Sequence, residues 1–189
     1  MRKIALLIID MQNDFLMEDS PMQIKCAAGI IGNIQKVLEK FRKERLSIFF
    51  IVKVNNKDGS DVEITRREKF ASHPYVVEGT RGAQIIDELR PQEDEFILKK
   101  PRMDAFLFTD LDLQLRCRLI TDLVITGIQT ANCIRATAYS AVAYGYNTYL
   151  VEDAVAANSE QIHRANILDM QNIGIKIVKT AEVLRDTTK

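Results

Sequence analysis

Residues 122–139 read Asp-Leu-Val-Ile-Thr-Gly-Ile-Gln-Thr-Ala-Asn-Cys-Ile-Arg-Ala-Thr-Ala-Tyr. The apolar run at the start is typical of a strand that is buried on both faces of a sheet. Gly127 then permits a turn, and the small residues that follow predict a helix. The stretch therefore predicts a strand, a turn and a helix in direct succession, which is the repeating unit of α/β proteins.

The same alternation of strands and helices extends along the chain. Apolar runs predict strands at residues 3–9, 47–54, 95–99, 123–126, 147–151 and 175–178. Helices are predicted at residues 27–45, 83–89, from Thr109 onward, 131–144 and 159–172, whereas residues 55–81 lack a clear periodicity. Repeated strand–helix–strand units predict a Rossmann-like, three-layer α/β/α fold with a mostly parallel six-stranded sheet. We expect a single domain over residues 1–189.

The composition indicates a globular protein without a strongly charged partner. Apolar residues make up 47% of the 189 residues, and 26 basic residues balance 26 acidic ones. A net charge of zero argues against nucleic acid or an anionic membrane as a partner. The apolar run 4–9 ends at Asp10 and is too short for a signal-peptide core or a membrane span, so we expect a cytoplasmic protein. Three separated cysteines predict neither a disulfide framework nor a Cys-x-x-Cys zinc site.

Cys133 is a candidate nucleophile because it lies where a strand and turn lead into a helix. The unpaired N–H groups and the positive end of the helix dipole favour a thiolate at that place, so we expect a depressed pKa. A thiolate there is a nucleophile. The competing interpretation is that Cys133 is a small buried apolar residue, as free cysteines usually are.

Charged residues end two of the predicted strands. Asp10 ends the first strand and Lys99-Lys100 ends the third, and ligands of parallel sheets bind at such carboxyl ends. A carboxylate beside a thiol can take its proton, and an ammonium beside both balances the charge. We expect His73 and His163 to be polar surface residues, so a Cys–His pair is not predicted.

Three motifs follow one another along nearly the whole chain: Asp10-Met-Gln-Asn-Asp-Phe15, Lys100-Pro-Arg-Met-Asp-Ala-Phe106 and Gly127-Ile-Gln-Thr-Ala-Asn-Cys133. Together they resemble the motifs of the isochorismatase-like cysteine hydrolases, the superfamily that includes the nicotinamidases. The resemblance implies a catalytic triad of Asp10, Lys100 and Cys133. Lys99 is the competing lysine, but the spacing to the Ala-Phe pair favours Lys100.

The resemblance also implies how the site surrounds its substrate. It implies a cis peptide bond between Ile128 and Gln129, and an oxyanion hole formed by the backbone N–H groups of Gln129 and Cys133. Phe15, Phe106 and Ile128 are candidate walls of a pocket for a small planar substrate. For the two phenylalanines, packing in the core is a near-equal alternative.

One departure from the family's pattern concerns metal binding. Metal-containing nicotinamidases carry an Asp-Trp-His segment after strand two, where this chain has Lys53-Val-Asn-Asn56. A second histidine ligand of that group aligns with Tyr75. Asp58 and Asp61 could be ligands, but an ordinary polar loop is the favoured interpretation. We expect no metal and no cofactor, and nicotinamide becomes a less favoured substrate.

The leading functional hypothesis is hydrolysis of the C–N bond of a small amide-like substrate through a thioester intermediate. The alternatives are vinyl-ether hydrolysis of an isochorismate-like compound and a non-catalytic ligand-binding role. The expected partner is a small molecule, with no nucleic acid and no membrane. We expect a homo-oligomer, as is common in the family. The alanine-rich helix after Cys133 is expected to be buried either within the fold or in a subunit contact, and the sequence leaves that choice open.

Overall fold

The computed structural model describes residues 3–186, which form one α/β domain built on a six-stranded parallel sheet. The spatial order is β3-β2-β1-β4-β5-β6, and every neighbouring pair is parallel. The predicted fold class is therefore confirmed. The strands are β1 Ile4–Ile9, β2 Ser47–Lys53, β3 Phe96–Lys100, β4 Asp122–Ile128, β5 Asn147–Ala156 and β6 Lys176–Val178.

The helices lie between the strands, with one more at the end of the described chain. They are α1 Asn13–Leu16, α2 Ile31–Lys43, α3 Arg67–Ser72, α4 Leu111–Cys117, α5 Arg135–Ala143, α6 Glu160–Asn172 and α7 Thr180–Asp186. None of the helices in residues 3–186 has the length and apolar character needed to cross a bilayer.

The predicted helix over residues 83–89 is wrong. Only Asp87–Leu89 forms a short 3-10 turn. The backbone of this segment bonds to the chain after β1 instead: Ile86 donates to the carbonyl of Met11, and Asn13 donates to the carbonyl of Gln84. These long-range bonds use groups that a helix would have needed for its own ladder.

The central strand shows why the sheet is covered on both faces. Along β1, Leu6 and Ile8 belong to one hydrophobic core, which also contains the apolar face of α2. Ala5, Leu7 and Ile9 belong to a second core, which contains apolar residues of α4, α5 and α6. All five side chains are fully buried. The continuous apolar run thus specifies a strand between two layers, as its lack of alternation predicts.

Gly127 brings β4 close to the end of β1. Its φ is 109°, and a Cβ at this position would lie 2.1 Å from the carbonyl oxygen of Ile9. Only glycine fits a backbone approach of this kind. The chain after β4 can therefore begin its turn directly beside the residue that follows β1, which is Asp10.

The alanine-rich helix α5 is only partly covered. Thr137, Ala138 and Ala141 are buried, and the helix packs against β5 and α6. Val142 and Tyr144 remain 37% and 47% exposed. The side buried within the fold accounts for the small residues, and a homo-oligomer stays a prediction.

Candidate active site

Asp10 is held at the carboxyl end of β1 by the neighbouring strand. Its N–H donates to the carbonyl of Ile51 at 2.8 Å, and its Oδ1 accepts from the N–H of Lys53 at 3.0 Å. The residue has a φ of 56° and is 2% exposed. A carboxylate in this position has one oxygen bound to the scaffold and the other, Oδ2, directed at the rest of the site.

Lys100 reaches that second oxygen from the end of β3. Its Nζ lies 2.9 Å from Asp10 Oδ2, 3.3 Å from Cys133 Sγ and 3.2 Å from the carbonyl oxygen of Arg102. The side chain is 1% exposed. Lys99 has the opposite direction, because side chains alternate along a strand, and it pairs with Glu78 on the surface. The lysine chosen from the sequence is the one in the site.

The strands that carry these residues are not all neighbours. In the sheet, β2 lies between β1 and β3. The long side chain of Lys100 spans that gap. Asp10 and the turn after β4 do lie on adjacent strands. The three groups therefore meet at one point although their strands are not all neighbours.

Cys133 lies in a turn with π-helical hydrogen bonding, Thr130–Ile134, which leads into α5. Burial raises the pKa of its thiol to about 12, the carboxylate of Asp10 adds to that rise, and the ammonium of Lys100 opposes it. The expected depressed pKa is therefore wrong. A buried thiol beside an existing anion is a poorer acid than one at an exposed helix end, because ionisation would place a second negative charge next to the first.

Lys100 keeps its charge in spite of its burial. Desolvation lowers the pKa of this ammonium, but its interactions with Asp10 and with Cys133 outweigh that effect, and the net shift is upward. The resting site is thus an ion pair of Lys100 and Asp10 beside a neutral thiol.

A narrow cleft opens over these groups. Two of the predicted walls, Phe15 and Ile128, line it, together with both predicted oxyanion donors, Gln129 and Cys133. The other lining residues are Asp10, Met22, Lys53, Glu63, Arg66, Tyr75, Met103 and Asn132. The peptide bond between Ile128 and Gln129 is cis, which is the geometry that the resemblance predicts.

Phe106 is not among the residues that line the cleft, so the structure corrects this assignment. Its ring stacks on Tyr144 and Tyr146, with centroids 5.0 and 5.9 Å away, and it is buried in the core beneath α4 and α5. The motif that positions Lys100 also supplies this core residue. Plain packing accounts for Phe106, whereas Phe15 both packs in a hydrophobic core and lines the cleft.

Sequence reasoning missed a second ion pair in the cleft. Lys53 ends β2, and its Nζ lies 3.2 Å from Glu63 Oε1. Burial lowers the pKa of Lys53, and Glu63 opposes that shift. The strand-end rule that selected Asp10 and Lys100 applies equally to Lys53, so the signal was present. Glu63 and Arg66 lie in the irregular segment and had no such signal.

Gln12 ties the end of β1 to two other segments. Its Nε2 donates to the carbonyls of Lys53 and Ala83, each at 2.8 Å, and its Oε1 accepts from the N–H of Lys53 at 2.9 Å. The side chain is fully buried. It pairs with the Lys53 backbone as a neighbouring strand would, and so it fixes the rim of the cleft.

The two histidines differ from each other. His73 is exposed, as expected. His163 is half-buried, with Nδ1 3.1 Å from Thr130 Oγ1 in the turn that contains Cys133, so it is a partly exposed polar residue that has a hydrogen-bond partner. His163 lines an open groove that also contains Cys26 and is separate from the cleft.

The donor atoms around the cleft do not fit a metal. Within residues 3–186, no group of three or more His, Cys, Asp and Glu side chains could hold an ion. Asp58 and Asp61 accept hydrogen bonds within their own loop, from Ser60 and Asn56. The cleft already contains the cations Lys53 and Arg66, which would repel a further positive ion.

The comparisons with known proteins agree with this fold. A family model described as the Isochorismatase domain matches residues 4–182. The chain therefore belongs to the isochorismatase-like hydrolase family. It is 42% identical over 179 residues to an Arabidopsis thaliana protein described as a probable inactive nicotinamidase, covering 93% of this chain and 91% of that protein.

Two solved structures show the same fold. The crystal structure of an isochorismatase family protein from Desulfovibrio vulgaris has a TM-score of 0.95 and 36% identity, with 100% of each chain covered. The pyrazinamidase of Pyrococcus horikoshii, in complex with zinc, has a TM-score of 0.83 and 28% identity, covering 94% of this chain and 99% of that one.

Proposed function

We propose that this chain is a cysteine hydrolase that cleaves the C–N bond of a small amide-like substrate. One observation carries the proposal: the buried ammonium of Lys100 lies within hydrogen-bonding distance of both Asp10 Oδ2 and Cys133 Sγ. A base, a nucleophile and a balancing cation are thereby joined in one water-poor cluster at the bottom of a cleft. Hydrolysis of an amide through a thioester intermediate uses these three functions.

The first half of the reaction forms a thioester. Asp10 takes the thiol proton as Sγ of Cys133 attacks the carbonyl carbon, and the π-electron pair of the C=O bond moves to oxygen. The N–H groups of Gln129 and Cys133 receive the oxyanion. When the carbonyl re-forms, the C–N bond breaks, and the leaving nitrogen takes the proton from Asp10. The amine or ammonia departs, and the acyl group stays on sulfur.

The second half returns the enzyme to its starting state. Asp10, again a carboxylate, takes a proton from water as the water oxygen attacks the thioester carbon. Collapse of that intermediate breaks the C–S bond. The sulfur then recovers the proton from Asp10, and the carboxylic acid leaves. Each proton that Asp10 accepts is returned within the same half-reaction, which suits a residue with one free oxygen.

Lys100 supports both halves without reacting. Its positive charge stabilises the carboxylate of Asp10 at rest and the thiolate while the proton is on Asp10. The raised pKa of Lys100 means that it remains an ammonium throughout. Because the thiol has a pKa of about 12, spontaneous ionisation would be rare at neutral pH, and the proton transfer to Asp10 is essential.

An experiment can distinguish two other candidate functions from this one. A binding role without catalysis is the second candidate, because the Arabidopsis relative is described as probably inactive. Vinyl-ether hydrolysis would use Asp10 as an acid and would not need the thiol. A panel of small primary amides, ureido acids and isochorismate is assayed with the wild type, Cys133→Ala and the control Cys117→Ala.

Each outcome selects one function. Ammonia release that Cys133→Ala abolishes and Cys117→Ala retains, with a thioester adduct on Cys133 in acid-quenched intact mass spectra, is the expected result. Turnover of isochorismate that survives Cys133→Ala would support the vinyl-ether reaction instead. Saturable binding of an amide with no turnover by the wild type would support the non-catalytic role.

A further inference from the structure

Two polar side chains in the cleft have no part in the proposed mechanism. Arg66 ends the 3-10 turn Ile64–Arg66, and Tyr75 follows α3; both line the cleft. Tyr75 is held firmly, with its ring 5.6 Å from Phe70 in an edge-on arrangement and 6.4 Å from Phe15. Its carbonyl also accepts from Asn55 Nδ2 at 3.1 Å. A residue fixed so closely presents its hydroxyl in one direction.

The Tyr75 hydroxyl is buried without a partner. The residue is 2% exposed, and no group of residues 3–186 accepts a hydrogen bond from its O–H; the neighbouring Arg66 guanidinium can only donate. A buried polar group left unpaired is costly, and such groups are rare in folded proteins. Because Tyr75 lines the cleft, a bound molecule is the partner that would satisfy it.

Arg66 places a positive charge beside this hydroxyl. Burial raises the pKa of Tyr75, and the nearby guanidinium of Arg66 opposes the rise. No carboxylate of the described chain forms a salt bridge with Arg66. Glu63 is near enough to feel its charge, but the Glu63 carboxylate is bonded to Lys53 Nζ, at 3.2 and 3.4 Å.

The charges of the site leave Arg66 in excess. Asp10 pairs with Lys100, and Glu63 pairs with Lys53. With Cys133 neutral at rest, those four charges cancel, and Arg66 adds one positive charge. A guanidinium next to a free hydroxyl donor matches a carboxylate, which can accept two parallel bonds from arginine and a third from the phenol.

We infer that the substrate is a small amide that also carries a carboxylate, and that Arg66 and Tyr75 bind this carboxylate while the amide carbonyl lies at Cys133. The statement that the amide carbonyl lies at Cys133 rests on the proposed function. Selective binding of an amide that carries a carboxylate can be tested without turnover. Arg66 and Tyr75 would then determine specificity and would leave the bond-breaking steps to the triad.

The test compares matched pairs of substrates. Malonamate, succinamate and glutaramate each have a neutral counterpart, the corresponding diamide, in which an amide replaces the carboxylate. We expect the wild type to prefer at least one monoamide in kcat/KM. Arg66→Gln should lower kcat/KM for that monoamide by about 10- to 100-fold, and Tyr75→Phe by about tenfold, because hydrogen bonds to a charged group are lost. The diamide should change by less than about twofold in both variants.

A control and a binding measurement keep the interpretation specific. Lys69→Gln removes one positive charge from the exposed surface of α3 and should leave the preference unchanged. Titration calorimetry with Cys133→Ala should show tighter binding of the monoamide than of the diamide, and the difference should disappear when Arg66→Gln is added. A KM effect with kcat nearly constant is expected for a residue that only binds the carboxylate.

The two proposals fail in different ways. Cys133-dependent turnover with equal or better use of diamides, or equal loss for both substrates in Arg66→Gln and Tyr75→Phe, would overturn the carboxylate inference alone. Selective binding of the monoamide without turnover by the wild type would support the carboxylate inference and overturn the hydrolase proposal. Equal affinity of Cys133→Ala for both members of every pair would overturn the inference regardless of turnover.

Discussion

The cleft has two walls that are built in different ways. The wall that carries Asp10, Lys100 and Cys133 consists of the ends of β1, β3 and β4. These strands share a hydrogen-bonded sheet whose central residues are fully buried. Each reactive group is within a few residues of that frame, so its position follows from the register of the sheet.

The other wall is formed by the irregular chain between β2 and β3, with Glu63, Arg66 and Tyr75. Isolated contacts hold it in place: backbone bonds join Asn55 to Val76 and Glu78, Asp14 accepts a hydrogen bond from the N–H of Val76, and Asn55 Nδ2 donates to the Tyr75 carbonyl. Because no ladder of strand bonds fixes this wall, its partly exposed polar residues, Glu63 and Arg66, can change with little effect on the fold.

The difference indicates a division of roles. In the proposed mechanism the strand-end wall supplies the reacting groups, which need fixed positions to within fractions of an ångström. In the carboxylate inference the irregular wall supplies the groups that select the substrate. Substitutions in the first wall should therefore affect the chemistry itself, and substitutions in the second should affect which molecules enter.

The largest expected effect is on turnover. Asp10→Asn should lower kcat by about 10³-fold or more, because the base is lost and the transition state is no longer reached. Glu63→Gln, in the irregular wall, should lower kcat by at most about tenfold. Steady-state ammonia release measures both. Comparable losses in the two variants would contradict the division between the walls.

Lysine substitutions should show that the buried ion pair contributes more to the free energy of unfolding than the surface ion pair does. Lys100→Met leaves the Asp10 carboxylate buried without its cation, which should reduce the free energy of unfolding by about 3–5 kcal/mol. Lys99→Met removes an exposed pair with Glu78 and should leave the free energy of unfolding nearly unchanged, because water screens such pairs. Urea denaturation of the two variants gives the comparison. If Lys99→Met were the more destabilising change, the assignment of Lys100 to the site would be wrong.

The thiol should make stability depend on alkaline pH. Its folded pKa of about 12 lies above the ordinary value of 9.0, so the unfolded chain loses the proton first as the pH rises. The contribution is complete below pH 9 and is lost progressively toward pH 12. Wild type should lose free energy of unfolding relative to Cys133→Ser between pH 8 and pH 10.5, measured by urea denaturation. A relative gain over that range would mean that the thiol pKa is depressed.

Alkylation should follow the same order. Cys26 and Cys117 are exposed, whereas Cys133 is partly buried and neutral at pH 7. We expect iodoacetamide to label Cys26 and Cys117 first at neutral pH, and labelling of Cys133 to accelerate as the pH rises. Peptide mapping after short exposures measures the three rates. Preferential labelling of Cys133 at pH 7 would restore the expectation of a helix-stabilised thiolate.

The smallest effects concern the two phenylalanines. Phe15→Leu should change KM for the preferred substrate by a few-fold, about 1 kcal/mol at most, because Phe15 lines the cleft. Phe106→Leu should leave KM unchanged and reduce the free energy of unfolding by about 1–1.5 kcal/mol, because it loses core packing. An altered KM in Phe106→Leu together with an unaltered KM in Phe15→Leu would reverse the assignment.

Several features could be predicted from local sequence because short-range chemistry determines them. Unbroken apolar runs specify strands covered on both faces, and polar residues directly after those runs specify groups at one edge of a parallel sheet. The predicted helix over residues 83–89 failed for the opposite reason. Its backbone groups are bound by Met11 and Asn13, more than seventy positions away in the sequence, and periodicity contains no information about such partners.

The sequence alone was sufficient for the α/β class, for Asp10, Lys100 and Cys133 as candidates, and for Phe15 and Ile128 near them. Folding was needed to show that Phe106 is a core residue and that Arg66 and Tyr75 line the cleft. The tertiary structure also showed that burial raises the pKa of the Cys133 thiol, whereas the helix N-terminus had been expected to lower it. The physical reason is that solvation and pairing depend on every segment that packs around a group, whereas a strand or a strand end depends mainly on its own residues.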